Sequence, residues 1–421
     1  MTSGPASLFD AQFGAGEVAG LVDAGTWFAT LVEVEAELVL AAADAGAVPA
    51  AEAAAVAATL RSALAGGRVS PADVVAASAL SGNPVVPLVP ALRALVPQEQ
   101  RRWVHLGATS QDVLDTAMVL VARRAVAALT GDLDAAVGTC LALAGEHAGT
   151  PLLGRTLLQA ALPTTFGLKA ATWASALDGA CARLGVVVAA LPVQYAGPVG
   201  TLSGTPERGQ AIRSALARRL RLADAPGPWH TVRLPVADLA GALCTAAGAV
   251  ATVAVDVLLL AQTEVGEVRE GAAGRGGSSS MPHKANPVAA VTARACARRA
   301  PGLGATLFAA MEQEHERAAG AWHAEWEALS DLLRVTGSAA HWIRDCLASL
   351  EVDAAAMRRT LDAQPVELRR GWERDGGNVD TAAAALQAGR MVDEVVARRS
   401  GVLPGGMPRG GTRRADAGGG A

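Results

Sequence analysis

Apolar residues recur at helical spacing along most of the chain. Between 16 and 65, Leu31, Val34, Leu38 and Leu40 interleave with Glu33, Glu35, Glu37 and Asp44, the pattern of an amphipathic helix. Ser70 ahead of Pro71 predicts a second start, with the serine as N-cap and the proline at the first helical position. The stretch from Ser81-Gly82-Asn83-Pro84 through Pro90 to Pro97 reads as a loop with a short helix. Long helices are predicted over 109–147, about 164–191, 236–270 and 288–326, and a fifth runs on to about 350. Pro301-Gly302 is the expected kink in the fourth. Thr109 followed three residues later by Asp112 supplies the cap of the first.

Helices of this length exceed the usual globular size and suit an elongated bundle whose apolar faces are also buried between subunits. No stretch keeps the alternation of a strand, and no internal repeat is visible. The pattern predicts an all-α chain in three domains. These are an N-terminal helical domain over 1–105, a central long-helix bundle over 106–348 and a small helical domain over 349–399. The Gly- and Arg-rich tail over 400–421 is expected to be disordered.

Composition narrows the class. Of 421 residues, 51% are hydrophobic and 18% charged, which excludes a disordered chain. A formal charge of −4 gives no basic field for nucleic acid. Leu239 to Ala261 is long and apolar enough to span a bilayer. It is also rich in Ala, Thr and Gly, carries Asp256 and lacks an aromatic belt, so it reads as a buried bundle helix with no membrane partner. Met1 to Asp10 has no secretory pattern, and a cytoplasmic location is expected. The 5 cysteines are scattered without CxxC spacing, against a disulfide framework or a thiolate zinc site. His315 and His323 would sit about 80° apart around a helix, which suits a polar face better than a metal. No metal or cofactor is expected.

Three segments flanked by chain breakers concentrate polar residues that a plain bundle would not need. They are His105-Leu106-Gly107-Ala108-Thr109-Ser110-Gln111-Asp112, Gly154-Arg155-Thr156-Leu157-Leu158-Gln159, and the run from Gly274-Arg275-Gly276-Gly277 through Ser278-Ser279-Ser280-Met281-Pro282-His283-Lys284-Ala285-Asn286-Pro287. The third combines glycines that allow close backbone approach, a lysine charge and an amide donor. Such a loop can bind a carboxylate and move over it. Its spacing is not that of a phosphate loop.

This third run resembles the GSSxMPxKxNP signature of the fumarase/aspartase superfamily. The other two segments are similar to that superfamily's first and second signature regions, in the same order. The resemblance covers about residues 7 to 395. Flanking residues 103–112, 162–169 and 313–326 are similar to the carboxymuconate cycloisomerase branch. The resemblance implies a homotetramer whose sites draw the three regions from different subunits. It also implies chemistry on a small di- or tricarboxylate, with a proton moved beside a carboxylate through an enediolate. Carried over by position, Ser278 matches the base, and Lys284, Asn286, Thr109 and Ser110 match carboxylate-binding positions. Thr156 and Gln159 match substrate contacts. Arg317 is a second cation for the enediolate. His105 is either a substrate contact or a buried histidine, and Arg275 either binds a carboxylate or hinges the loop. Asn83 stands where adenylosuccinate lyases carry a histidine.

One departure is informative. Many superfamily lyases read Thr-His in the second region, and here Thr156 is followed by Leu157. A carboxylate leaving group, with a solution pKa of about 4, needs no general acid. That fits lactonisation of 3-carboxy-cis,cis-muconate in protocatechuate breakdown by the β-ketoadipate route. It fits equally a lyase expelling another weakly basic anion from a substituted succinate. A structural, non-enzymatic role is disfavoured by the intact Ser278, Lys284 and Asn286.

Overall fold

The computed structural model describes residues 8–272, 274–277, 281, 284–374 and 382–400. Ser278 and nearly all of the expected tail lie outside them. The chain opens with α1 (Asp10–Phe13), α2 (Val18–Leu21), α3 (Ala24–Asp44), α4 (Ala50–Ala65), α5 (Pro71–Ser81) and α6 (Val85–Ala94). A 3₁₀ turn over Gln98–Trp103 leads to α7 (Ser110–Glu146), the hairpin β1 (Pro151–Thr156) and β2 (Gln159–Thr165), and α8 (Phe166–Ala190). Then follow α9 (Gly209–Leu220), α10 (Leu234–Leu260), β3 (Val268–Glu270), α11 (Val288–Ala309) and α12 (Ala321–Ala348). The chain continues through β4 (Leu350–Val352), α13 (Ala354–Asp362), α14 (Val366–Arg374) and α15 (Ala382–Arg399).

The starts follow from local chemistry. Asp23 caps α3 by accepting the Thr26 amide at 2.7 Å, and Ser70 caps α5 through the Asp73 amide at 3.2 Å. At α7 the expected box is half formed: the Asp112 Oδ2 accepts the Thr109 N–H at 3.0 Å. Pro84 and Pro87 do not prevent α6, because first-turn prolines forfeit no helical hydrogen bond.

Four expectations need correction. The helix predicted to reach 270 ends at Leu260, and β3 pairs antiparallel with β4, Val268 opposite Val352. The helix predicted over 288–326 is two helices separated by residues 310–320. Helix α9 lies where no element was expected. Strands do form: β1 and β2 pair with Thr156 opposite Gln159. They occupy breaker-rich connections whose short length hides any alternation.

The chain divides into two compact units, and α7, α8, α10, α11 and α12 each supply residues to both. In the first unit, α3 packs on α4 and α9 over a core that includes Leu31, Leu38, Leu60, Leu92, Val104, Leu114 and Leu216. In the second, α13 and α15 pack on the β1–β2 hairpin, with Leu153, Leu361 and Trp372 buried together. Helices α7, α8 and α10 are long and apolar enough to cross a membrane, and less than half of each one's most apolar stretch is buried within the chain.

Candidate active site

The first signature loop is built on a buried polar scaffold within the first unit. Asp112 is the hub. Its Oδ2 accepts N–H groups from Thr109 and Gly197, at 3.0 and 2.9 Å. Its Oδ1 accepts the Ala196 N–H at 3.1 Å and lies 2.8 Å from His230 Nε2. One turn on, Asp115 receives both terminal nitrogens of Arg233, at 2.8 and 3.0 Å, and the Trp322 indole N–H at 3.0 Å. Arg233 also grips Glu325 through two bonds, and Gln313 Nε2 donates to Glu325 at 3.1 Å. Arg233, Asp115 and Glu325 are fully buried. Burial alone would lower the guanidinium pKa, but Asp115 and Glu325 together hold it above its ordinary value. Burial pushes the Glu325 carboxyl upward against the pull of Arg233, with Asp115 adding to the push.

This scaffold fixes the backbone of Gly107–Ser110. Tyr195 donates its hydroxyl to the Leu106 carbonyl at 3.0 Å, and burial pushes that phenol up to about 12. Gly107 has φ +67°, and a Cβ there would lie 2.5 Å from the Tyr195 hydroxyl, so only glycine fits. Arg317 donates to the Pro198 carbonyl at 3.1 Å, next to the Gly197 that Asp112 holds. His105, Thr109, Ser110 and Arg317 therefore belong to one assembly of loops. His105 itself has φ +63° and places Nδ1 2.6 Å from the buried Glu35 carboxylate. Burial lowers its pKa, but Glu35, by charge and hydrogen bond and with Asp112 adding, more than reverses this and raises it. His105 and Glu35 thus form a hydrogen-bonded pair at the start of this loop. Asn83 is buried, and its Oδ1 accepts the Val85 N–H at 2.8 Å, starting α6.

The second unit holds the other two regions. Arg155 forms two 3.0 Å bonds to the fully buried Glu267, which anchors the hairpin just before its turn. Beyond it, residues 156–160 are all exposed, so Thr156 and Gln159 flank an exposed turn at Leu157-Leu158. In the third region the neck is clasped. The Asn286 backbone and side-chain amides both donate to the Gly276 carbonyl, at 2.9 Å each. Gly276 has φ +77°, and a Cβ would lie 2.2 Å from the Asn286 carbonyl oxygen. Arg275 pairs with Asp345 at the start of this region. Glu270 accepts the Ala289 and Ala290 amides at 3.0 and 2.8 Å and so caps α11. Lys284 is exposed, and its ammonium has no ion pair among the described residues. Ser278 is outside the described residues.

The sequence reading missed Asp115, His230 and Arg233. The available signal was Asp112 and Asp115 three residues apart at the head of an otherwise apolar helix. Among the described residues no group of three or more His, Cys, Asp or Glu side chains is placed to hold a metal. A cavity of about 880 Å³ in the first unit is lined by Trp27, Phe28, Leu31, Leu114, Trp326 and Ser330, and none of the predicted site residues borders it.

A predominantly helical chain with these three loops in this order defines a lyase of the fumarase/aspartase type. The sequence profile of the family described as Lyase matches residues 22–302, and the chain belongs to that family. It is 45% identical over 358 residues to the nitrosuccinate lyase of Streptomyces davaonensis, covering 82% of this chain and 74% of that protein. It is 49% identical over 292 residues to the 3-carboxy-cis,cis-muconate cycloisomerase of Bradyrhizobium diazoefficiens, covering 68% of this chain and 65% of that one. The fold matches the crystal structure of β-carboxy-cis,cis-muconate cycloisomerase from Acinetobacter calcoaceticus with a TM-score of 0.81 at 30% identity, over 94% of this chain and 90% of that one.

Proposed function

We propose that the protein is a cycloisomerase that lactonises 3-carboxy-cis,cis-muconate. The observation that carries this reading is the match to a cycloisomerase structure over 94% of this chain, and the tip of the second signature region agrees with it: Thr156, Leu157, Leu158 and Gln159 include no titratable group. A leaving group at this tip departs without an acid, so it is a weakly basic anion. In lactonisation the substrate's own carboxylate is the nucleophile, and in the reverse direction it is that leaving group. Relatives that are cycloisomerases, and a cycloisomerase fold match over nearly the whole chain, support the same reading.

In this mechanism the ionised carboxylate attacks C4 and Ser278 delivers a proton to C5. Charge builds on the neighbouring carboxylate as an enediolate, which needs a cation close by. Lys284, exposed and without an ion pair among the described residues, supplies it, with Thr109 and Ser110 holding carboxylate oxygens. Asn286 keeps the loop neck closed, and Arg317 braces the 197–198 backbone. The protein works in the cytoplasm as a homotetramer, with the apolar faces of α7, α8 and α10 covered by other copies.

A second reading has its own support. Nitrite is also a weakly basic leaving group, and the nitrosuccinate lyase relative is 45% identical over 82% of this chain. The two are separated by assaying 3-carboxy-cis,cis-muconate and nitrosuccinate side by side. The cycloisomerase reading expects kcat/KM at least about 100-fold higher for the muconate.

A further inference from the structure

The cavity of about 880 Å³ lies wholly within the first unit. Aromatic side chains make up only 3% of the chain, yet Trp27, Phe28 and Trp326 all line this one space, beside Leu31, Val74 and Leu114. Two of the rings are held in place. Trp27 donates its indole N–H to Ser330 Oγ at 3.1 Å. Trp326 packs edge-on against Trp322, with ring centroids 4.9 Å apart. The charged lining residues are Asp10, Asp23, Glu327, Asp331 and Arg334. Arg334 lies 2.6 Å from Asp331 and 3.6 Å from Asp10, so its charge is neutralised within the wall. Asp23 and Glu327 are exposed, and neither carboxylate has an ion pair among the described residues. Four carboxylates against one guanidinium leave a negative wall around an apolar, aromatic space.

We infer that this cavity binds an organic ammonium ion carried on a fused aromatic skeleton. Each part of that ligand answers an observed feature. The faces of tryptophan rings carry negative potential and attract a cation. The Asp23 and Glu327 carboxylates add charge attraction that no cation among the described residues already satisfies. Flat apolar rings cover the surface of Phe28, Leu31 and Leu114, which the cavity otherwise leaves facing water. A space of this volume suits a ligand larger than a single ring. A carboxylate meets like charge on this wall, so the inference holds whichever anionic substrate the enzyme turns over. A bare metal ion is not the occupant, because no group of three or more His, Cys, Asp or Glu side chains among the described residues is placed to hold one.

Isothermal titration calorimetry on the full chain tests the inference with three probes of one skeleton: naphthylmethylammonium, naphthylmethanol and naphthylacetate. The ammonium is expected to bind at least about 10-fold more tightly than the alcohol, and the carboxylate more weakly than either. Asp23→Asn together with Glu327→Gln removes two charges and keeps the shape of the wall, and asparagine caps α3 as well as aspartate does. This double variant is expected to keep the wild-type melting temperature, to lose about 10-fold or more in ammonium affinity and to bind the alcohol unchanged. Glu207→Gln removes an exposed carboxylate outside the cavity and is expected to leave all three affinities unchanged. Equal affinity for the three probes, or no saturable binding of the ammonium at about 1 mM, overturns the inference. Ammonium affinity that survives the double variant, or that falls as much in Glu207→Gln, overturns the placement in this cavity and with it the inference.

Discussion

Glu35 is fully buried, its Oε2 has no hydrogen-bond partner, and His105 Nδ1 lies 2.6 Å from its other oxygen. The pair faces Asp112, which favours the imidazolium, and Arg93, which opposes it. A histidine raised above 6.5 stabilises the fold fully below that pH, and the contribution disappears as pH rises through the higher folded value. The stability margin of the wild type over His105→Gln, measured by urea unfolding, is therefore expected to be larger at about pH 6 than at about pH 9. An unchanged margin would show that the pair is not charged. At the chemistry, Ser278→Ala is expected to lower kcat about 100-fold with little change in KM, because it removes only proton transfer. Lys284→Met is expected to lower kcat and raise KM, because a lysine that neutralises the enediolate also attracts the ground-state carboxylate. Steady-state kinetics on the purified variants distinguishes the two signatures.

Helices carried by apolar periodicity were legible in the sequence. The expected 109–147 helix is α7 over Ser110–Glu146, and Ser70 and Pro71 start α5 as predicted. Residues 310–320 fall inside the helix expected over 288–326, and Met311, Gln313, Glu314 and Glu316 are good helix formers. Long-range and capping bonds override that propensity. Arg317 binds the Pro198 carbonyl, Glu314 accepts the Ala319 amide at 2.9 Å, and His315 takes φ +47°. The two signature loops within the described residues were legible as breaker-flanked polar runs. The support of the first was not, because Arg233 binds residues more than 90 positions away on either side. That support carries its own prediction. Arg233→Met leaves Asp115 and Glu325 buried without their cation and is expected to cost about 3–5 kcal/mol, read from the urea midpoint. A loss under about 1 kcal/mol would mean that the two carboxylates find other partners or protons.

At the scale of the whole molecule, a single chain leaves both loop and apolar helix surface exposed. The loops of the second region are exposed, and the most apolar stretches of three long helices are less than half buried. Both features are expected of a subunit that completes its sites on assembly. Sedimentation at working concentrations should give a stable tetramer, and a fully active monomer would contradict it. Mixing inactive Ser110→Ala and Ser278→Ala chains should restore part of the activity after subunit exchange, since some sites then draw both loops from intact chains. The chemistry itself is tested most directly by ultraviolet spectroscopy on the purified wild-type protein. Lactonisation removes the conjugated diene, so 3-carboxy-cis,cis-muconate should lose its absorbance at an enzyme-dependent rate, while nitrosuccinate under the same conditions releases nitrite slowly or not at all. Stable diene absorbance together with rapid nitrite release would contradict the account.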